Sequence, residues 1–331
     1  YMAAPHVAVS FAPRPRERAI IIERLSPLAD IAILPELDGA GQRMAALDAA
    51  AVLFTWNVPR ELTGDDFAHL EHVRLIQTLS AGVDHLPFAQ FPAQATIASN
   101  AGAYADPMAE HVLAMTLALQ KRLLAEQQKL ASGIFDQSIP NRRMRGATAA
   151  IIGFGGIGQA TARLLRAFGA EIIAINQSGQ TDESVLWAGT LADLERALRE
   201  ADIVVLSLPL TRQTRNLIGA RELGWMKPDA ILINVARGAL IEEGALYEHL
   251  SAHPQFLAGI DTWWQERFSG RPFHLNYPFF TLPNLLGSPH NSGTVSGIMA
   301  EATQHATENI ARFLMGERMR GIVRRDDYVT N

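Results

Sequence analysis

The chain has 331 residues, 48% of them hydrophobic, a net charge of −5 and no cysteine. That length can bury a large core and suits two domains better than one. The acidic balance gives no electrostatic reason to expect nucleic acid as a partner. No apolar run reaches the ~18 residues of a membrane span, and the missing cysteines remove thiolate nucleophiles, disulfide redox and Cys-ligated zinc.

MAAPHVAVSF lacks the basic-then-apolar plan of a signal peptide, Tyr1 ahead of Met2 reads as an added residue, and a cytoplasmic protein is expected. From His6 onward apolar runs alternate with helical patterns: HVAVSF, RERAIIIERL, IAILPE, RMAALDAA, AVLFTW, DDFAHLEHV, LIQTLSA and TIASNA. Such alternation predicts a parallel sheet with helices on its faces, so the first hundred residues form an α/β domain. His69 and His72 have the spacing of a metal pair, but with no third ligand nearby they read as a solvated helix face. LSAGVDHLP places Ser80, Ala81 and Gly82 just past a strand end, where backbone N–H groups can hold a carboxylate; an ordinary glycine turn is the alternative.

Asp106-Pro107 is the predicted start of a long helix, with Asp106 as N-cap and Pro107 at the first helical position. The helix that follows, MAEHVLAMTLALQ, is apolar on nearly every side and is expected to be buried; Glu110 and His111 in it read as structural hydrogen-bonding groups. LASGIFDQSIPNRRMRG is polar and turn-rich and reads as an arm or connector.

Thr148 to Gly158, TAAIIGFGGIG, is a buried strand that breaks into glycines, followed by the helical spacing of QATARLLRAFG. Gly153, Gly155 and Gly158 supply G-x-G-x-x-G in the context of a dinucleotide fold: a tight turn, close backbone approach to a pyrophosphate, and helix-on-strand packing. The helix opening near Ile157 aims unpaired N–H groups and its positive dipole end at that phosphate. Strands EIIAIN, DIVVLSLPL, AILINVA and FLAGIDT alternate with helices LADLERALRE, capped by Thr190, ARELGWM and GALYEHLSA. The expected fold is therefore α/β with two Rossmann-like, doubly wound parallel-sheet domains: residues 102–290, and 1–101 joined by 291–331. The last helix is predicted from about Val295 to Met315, and the end, RMRGIVRRDDYV, as a solvated tail. Arg237, Glu266 and His290 fall at or just beyond strand ends, the ligand edge of such a sheet, where they make an anion clamp, a carboxylate partner and a general acid.

SAGVD, NAGAYADPMAEH, GFGGIGQATARLLRAFG, LPLTRQTRNLI, INVARGALIEEGAL, GIDTWWQE and SPHNSGT occur in the order and spacing of one family. The chain resembles the D-2-hydroxyacid dehydrogenases, NAD(P)-dependent oxidoreductases, over essentially its full length. The resemblance implies a flavodoxin-like substrate domain beside the NAD(P)-binding domain, and a homodimer through the helix after Asp106 and the arm behind it. It implies hydride transfer between nicotinamide and C2 of a small 2-oxo acid of the glyoxylate or hydroxypyruvate type. His290 would give and take the proton, with Glu266 hydrogen-bonding and orienting it. Arg237 would bind the substrate carboxylate and polarise the carbonyl, and Ser80, Ala81 and Gly82 would hold that carboxylate. Gly153, Phe154, Gly155, Gly156, Ile157, Gly158, Asn176, Gln177, Ser178, Leu208, Pro209, Arg212, Thr214, Val235 and Ala236 would line the cofactor, and Asp261 would grip its carboxamide.

Two departures bear on specificity. An NAD-specific strand ends in an acid about 20 residues after the glycines, whereas Asn176-Gln177-Ser178-Gly179 has none, so NADP is favoured over NAD, with Arg212 able to reach a 2′-phosphate. RFSGRPFHLNYPFF follows Glu266, and Trp263, Trp264, Phe268, Phe273, Tyr277, Phe279 and Phe280 are expected to pack a core or a dimer contact before they line a pocket. Competing readings are a nucleotide-sensing regulator that binds a partner protein, and a formate- or phosphite-type dehydrogenase.

Overall fold

A computed structural model of the protein describes residues 4–267 and 272–328. In chain order its elements are β1 (His6–Val9), α1 (Pro15–Leu25), β2 (Asp30–Ile33), α2 (Ala40–Ala49), β3 (Ala50–Thr55), α3 (Val58–Glu61), β4 (Leu75–Thr78) and β5 (Thr96–Ala98). Then come α4 (Ala105–Gln120), α5 (Leu123–Ala131), β6 (Thr148–Ile152), α6 (Gly156–Ala167), β7 (Glu171–Ile175), β8 (Trp187–Gly189), α7 (Leu194–Glu200) and β9 (Ile203–Leu206). The chain continues through α8 (Ala220–Trp225), β10 (Ile231–Asn234), α9 (Glu243–Ala252), β11 (Leu257–Ile260), β12 (Leu285–Gly287) and α10 (Ile298–Leu314). It divides into two compact units, Tyr1–Tyr104 with Val295–Asn331, and Ala105–Thr294. Among the described residues no helix is long and apolar enough to cross a membrane.

The first unit holds a five-stranded parallel sheet in the order β2-β1-β3-β4-β5, the flavodoxin-like order. Successive side chains alternate between its faces. Val7 and Val9 join Ile21, Leu25, Phe54 and Leu75 under α10, while Ala8, Leu53 and Ile76 pack beneath α2 and the loops on the other side. Pro15 opens α1 with its fixed φ, and the Glu17 carboxylate accepts the Arg14 N–H at 2.9 Å. Gln77 and Asn309, both buried, tie β4 to α10 at 2.7 Å.

The Arg-rich end is not a solvated tail. Ile322 forms an antiparallel bridge with Ala98, the Val323 N–H donates to the Ile97 carbonyl, and Tyr328 stacks on Phe88 at 4.8 Å. Arg325 donates to the carbonyls of Phe91, Pro92 and Ala95, and burial lowers its pKa from the ordinary value. Carbonyls at the edge of β5 need donors, and a guanidinium carries five. A charge count along the sequence cannot see that demand.

The second unit holds a seven-stranded parallel sheet in the order β12-β11-β10-β9-β6-β7-β8. The order reverses at β6, which lies between β7 and β9, so the crevice outside the carboxyl ends of β6 and β9 is the switch point. Its central strands are buried on both faces: Ala150, Ile152, Val204 and Leu206 face one core, Ala149, Ile151, Ile203 and Val205 the other. The short strands β8 (WAG) and β12 (LLG) escape the sequence reading, since each holds a glycine and lacks the β-branched run that marks TIA in β5. Helix α4 starts at Ala105, so Asp106 and Pro107 lie inside its first turn and not at cap and first position. Arg122, at φ 54°, separates α4 from α5, which converts the start of the expected connector into a helix. The last helix starts at Ile298, after Gly297 in the left-handed region. His69 pairs with Asp48 at 2.8 Å in a short 3-10 turn, not on a helix face.

Candidate active site

The carboxyl ends of the second sheet collect the polar residues singled out from the sequence. After β6 the chain turns at Gly153, φ 100°, where a Cβ would sit 2.5 Å from the Leu208 nitrogen. The Ser207 hydroxyl donates to the Gly153 carbonyl at 2.8 Å, locking the β6 and β9 loops together across the switch point. A Cβ on Gly158 would run into the Gly153 carbonyl oxygen, so the third glycine lets α6 lie on the turn. Gly155 differs: among the described residues nothing lies within 4 Å of the place a Cβ would take. The open space sits over the first turn of α6, where Gly156 and Ile157 begin the helix and N–H groups have no intrahelical acceptor. A close-packed first and third glycine with an open second one fits a pyrophosphate, and the residues present therefore suit a dinucleotide. Phe154 is buried beside them.

The loop after β7 is closed on itself. Asn176 accepts from the Gly179 N–H at 2.7 Å and from the Ser178 hydroxyl at 3.1 Å, and it donates to the Gln180 carbonyl at 2.7 Å. Gln177 and Ser178 are exposed. In the loop after β9, Thr214 is buried and donates to the Pro209 carbonyl at 2.7 Å, which shapes the Leu208-Pro209 turn, whereas Arg212 is exposed. After β10, Asn234 donates to the Arg237 carbonyl at 2.8 Å and accepts the Ala236 N–H at 3.1 Å; Val235 is buried beneath them. The Arg237 guanidinium donates to the Ala236 carbonyl at 2.7 Å and is part-exposed.

Beyond β11 and β12 stands an imidazole–carboxylate pair: His290 Nδ1 and Glu266 Oε2 are 2.7 Å apart, with side-chain exposures of 27% and 18%. The other Glu266 oxygen accepts the Trp263 N–H at 2.7 Å, so the carboxylate is held from two sides. Against an ionised carboxylate Nδ1 carries the hydrogen, which turns Nε2 toward any further partner. His290 itself has φ 52°, an uncommon state for a residue with a Cβ and one that clusters at functional sites.

Asp261, fully buried, organises the same loop. Its own carbonyl accepts the His290 N–H at 2.7 Å. One carboxylate oxygen accepts the Ser288 hydroxyl at 2.6 Å and the Asn291 N–H at 3.1 Å, the other the Ser292 N–H at 3.1 Å. Burial works to raise its pKa, but these donors outweigh it and hold the acid below the ordinary value. Ser288 and the backbone of 291–292 were not singled out in the sequence; S-P-H-N-S-G was the only signal that could have found them. The neighbouring Thr262 hydroxyl is buried with no hydrogen-bond partner among the described residues.

The aromatic segment is divided: Trp263 and Phe279 are buried in the core with Trp264 and Tyr277 packed against it, whereas Phe273 and Phe280 are exposed. Trp264 stacks on Phe279 at 5.3 Å, Tyr247 on Tyr277 at 5.1 Å, and Trp263 meets Phe273 and Phe280 edge-on or tilted. Trp263 donates to the Ser288 carbonyl at 2.8 Å and Trp264 to the Ile241 carbonyl at 2.6 Å. Phe268 lies outside the described residues. In the first unit, Ser80, Ala81 and Gly82 follow β4. The Ser80 carbonyl accepts from Thr78 Oγ1 at 2.7 Å and from the Asn100 N–H at 3.0 Å, and the Gly82 carbonyl accepts from Ser80 Oγ at 3.0 Å. The loop is thus anchored through its carbonyls.

A doubly wound nucleotide fold with an imidazole–carboxylate pair on its ligand edge defines an oxidoreductase of the dehydrogenase type. Residues 113–292 match the family model described as D-isomer specific 2-hydroxyacid dehydrogenase, NAD binding domain. The chain belongs to that family: it is an NAD(P)-dependent oxidoreductase acting on small 2-oxo or 2-hydroxy acids. It is 28% identical to a glyoxylate reductase of Thermococcus litoralis, covering 86% of each chain. It is 29% identical to a glycerate dehydrogenase of Methylorubrum extorquens, covering 82% of this chain and 85% of that one. A Pyrobaculum aerophilum structure, provisionally described as a formate dehydrogenase, superposes with a TM-score of 0.79 at 28% identity, covering 97% and 99% of the two chains.

Proposed function

We propose that the protein is a 2-oxo acid reductase of the glyoxylate or hydroxypyruvate type, with His290 as the proton donor. The observation that carries this is the His290–Glu266 pair at 2.7 Å on a histidine held at φ 52°. When bound, the nicotinamide supplies the hydride to C2 of the 2-oxo acid. His290 Nε2 gives its proton to the carbonyl oxygen, the C=O double bond becomes C–H and O–H, and Glu266 offsets the imidazolium charge before transfer. In the oxidative direction the neutral imidazole takes the hydroxyl proton. Arg237 binds the substrate carboxylate through its planar fork and withdraws charge from the carbonyl. For Ser80, Ala81 and Gly82 we assign carboxylate binding through backbone N–H groups.

The glycine turn and α6 would hold the pyrophosphate, with Leu208, Pro209, Thr214, Val235 and Ala236 forming the walls and Asp261 serving the carboxamide. NADP is the preferred cofactor in this reading, because Asn176, Gln177 and Ser178 bring no acid against a 2′-phosphate and Arg212 is exposed nearby in sequence to the Leu208-Pro209 turn. The protein is a homodimer: Leu123, Leu124, Leu130, Ile134 and Phe135 are all exposed on α5 and the arm behind it, an apolar surface that a second copy would cover.

Kinetics with glyoxylate, hydroxypyruvate, formate and phosphite, each with both cofactors, test the assignment. Reduction of a 2-oxo acid is expected, and oxidation of formate or phosphite with no 2-oxo acid turnover would overturn it. Tight cofactor binding with no turnover of any of them would favour the nucleotide-sensing regulator. His290→Ala should lower kcat by roughly 10²–10⁴-fold while cofactor affinity stays within twofold.

A further inference from the structure

Behind the Asp261 carboxylate runs a second line of contacts that the proton-transfer chemistry does not use. Ser288 Oγ lies 2.6 Å from Asp261 Oδ1, and His111 Nε2, projecting from α4, lies 3.0 Å from the same Ser288 oxygen and 3.8 Å from Asp261 Oδ1. The hydrogens follow by elimination. Asp261, held ionised by its donors, can only accept, so the Ser288 hydroxyl donates to it. The serine oxygen is then left as an acceptor, so His111 donates through Nε2. The chain reads His111 Nε2–H to Ser288 Oγ–H to Asp261, and it ends where the backbone N–H groups of Asn291 and Ser292 meet the same carboxylate at 3.1 Å each. His290 sits between these anchors, its own N–H on the Asp261 carbonyl at 2.7 Å.

We infer that His111 and Ser288 are positioning residues for the reaction: they fix the Asp261 carboxylate, which pins Asn291 and Ser292 and so, together with the Asp261 carbonyl on the His290 N–H, holds His290 in its left-handed conformation. A left-handed histidine persists only where its surroundings over-determine it. Three backbone donors on one aspartate supply that constraint, one on its carbonyl and two on its carboxylate, and a carboxylate with one oxygen half-served would rotate away from the latter two. Helix α4 thereby sets the aim of the imidazole through Ser288 and Asp261.

This rests on His290 being the proton donor, so the test carries one readout that needs turnover and one that does not. In Ser288→Ala and His111→Phe, kcat with the 2-oxo acid should fall on the order of 10-fold or more, the loss expected when a hydrogen bond to a charged group goes. Ser288→Thr, which keeps the hydroxyl, and His111→Gln, which keeps an N–H donor, should recover most of the rate. Independently, amide hydrogen exchange over residues 288–294 of the free enzyme should quicken at least 10-fold in Ser288→Ala and His111→Phe and return toward wild type in the two conservative variants. Unchanged kcat and unchanged exchange in both disruptive variants overturns the inference, as does failure of both conservative variants to recover either readout. If Ser288→Ala does not fold, the His111 pair decides alone. A wild-type protein that turns over no 2-oxo acid sinks the functional reading, and the exchange result then judges the network by itself.

Discussion

Gly155→Ala separates the cofactor role of the glycine turn from its structural role. Gly155 has φ −86° and ψ −157°, and no described residue lies within 4 Å of its missing Cβ, so alanine meets no steric obstacle from them in the free protein. As the residue ahead of α6 it loses about 0.5–1 kcal/mol of capping preference, which the reduced entropy of the unfolded chain, ~0.4–1 kcal/mol, largely offsets. The melting temperature should therefore move by no more than about 2–4 °C. Bound cofactor is another matter, since a methyl group then stands where a phosphate oxygen would approach the backbone. Loss of one charge-assisted hydrogen bond is worth about 1.5–3 kcal/mol, or roughly 10- to 100-fold in Kd. The assay is NADPH fluorescence titration beside thermal unfolding without ligand. Gly158→Ala serves as the opposite control: its Cβ would overlap the Gly153 carbonyl, so it should lose about 3 kcal/mol or more of stability. Wild-type NADPH affinity in a stable Gly155→Ala protein would show that the pyrophosphate does not lie over this turn.

Three further outcomes are expected. Asn176→Asp keeps the acceptor for the Gly179 N–H, loses the donor to the Gln180 carbonyl and places an acid at the end of β7, so the ratio of NADP to NAD affinity should fall about 10-fold; an unchanged ratio puts the ribose elsewhere. Arg325→Ala removes the donor shared by Phe91, Pro92 and Ala95 and should cost ~2 kcal/mol in urea unfolding with kcat unaltered; a stability change under 0.5 kcal/mol would return the tail to solvent. His249 is pushed down to about 4, first by burial and then by His253. The unfolded chain takes up its proton near 6.5 and the folded chain only near 4, so stability is lost as pH falls through that window. His249→Phe should flatten the fall in unfolding free energy between pH 6.5 and 4, and an identical pH profile in the variant would contradict this.

The turn at Gly153 and the residues Arg237, Glu266 and His290 were legible because each sits in a run of a few residues whose meaning is local: glycines between a strand and a helix, or a polar group after an apolar strand. The parallel sheets were legible for the same reason, since their central strands are apolar on both faces. The network behind His290 was not, because it is written across the chain; His111 and Ser288 are separated by 177 positions. The Arg325 contacts with Phe91 to Ala95 span 230 positions or more, and a cation among acids reads as solvated until the carbonyls it serves are seen. The aromatic segment lay between these cases. Its composition pointed to packing, but only the Trp264–Phe279 and Tyr247–Tyr277 stacks say which core it fills.

The docking of α10 and the tail onto β4 and β5 has a bearing on how the chain is made. The second unit is one continuous stretch, Ala105–Thr294, and its contacts can close as soon as that stretch has emerged. The N-terminal part of the first unit is made ahead of it yet cannot be completed then: Val7, Val9, Ile21, Phe54 and Leu75 wait for Ala302, Ala306 and Ile310 to cover them, and Gln77 waits for Asn309. Until then an apolar sheet face stands uncovered, the kind of surface on which nascent chains associate. The domain translated first is the one finished last, so a slow or truncated C-terminus would injure the N-terminal half of the molecule before the nucleotide fold.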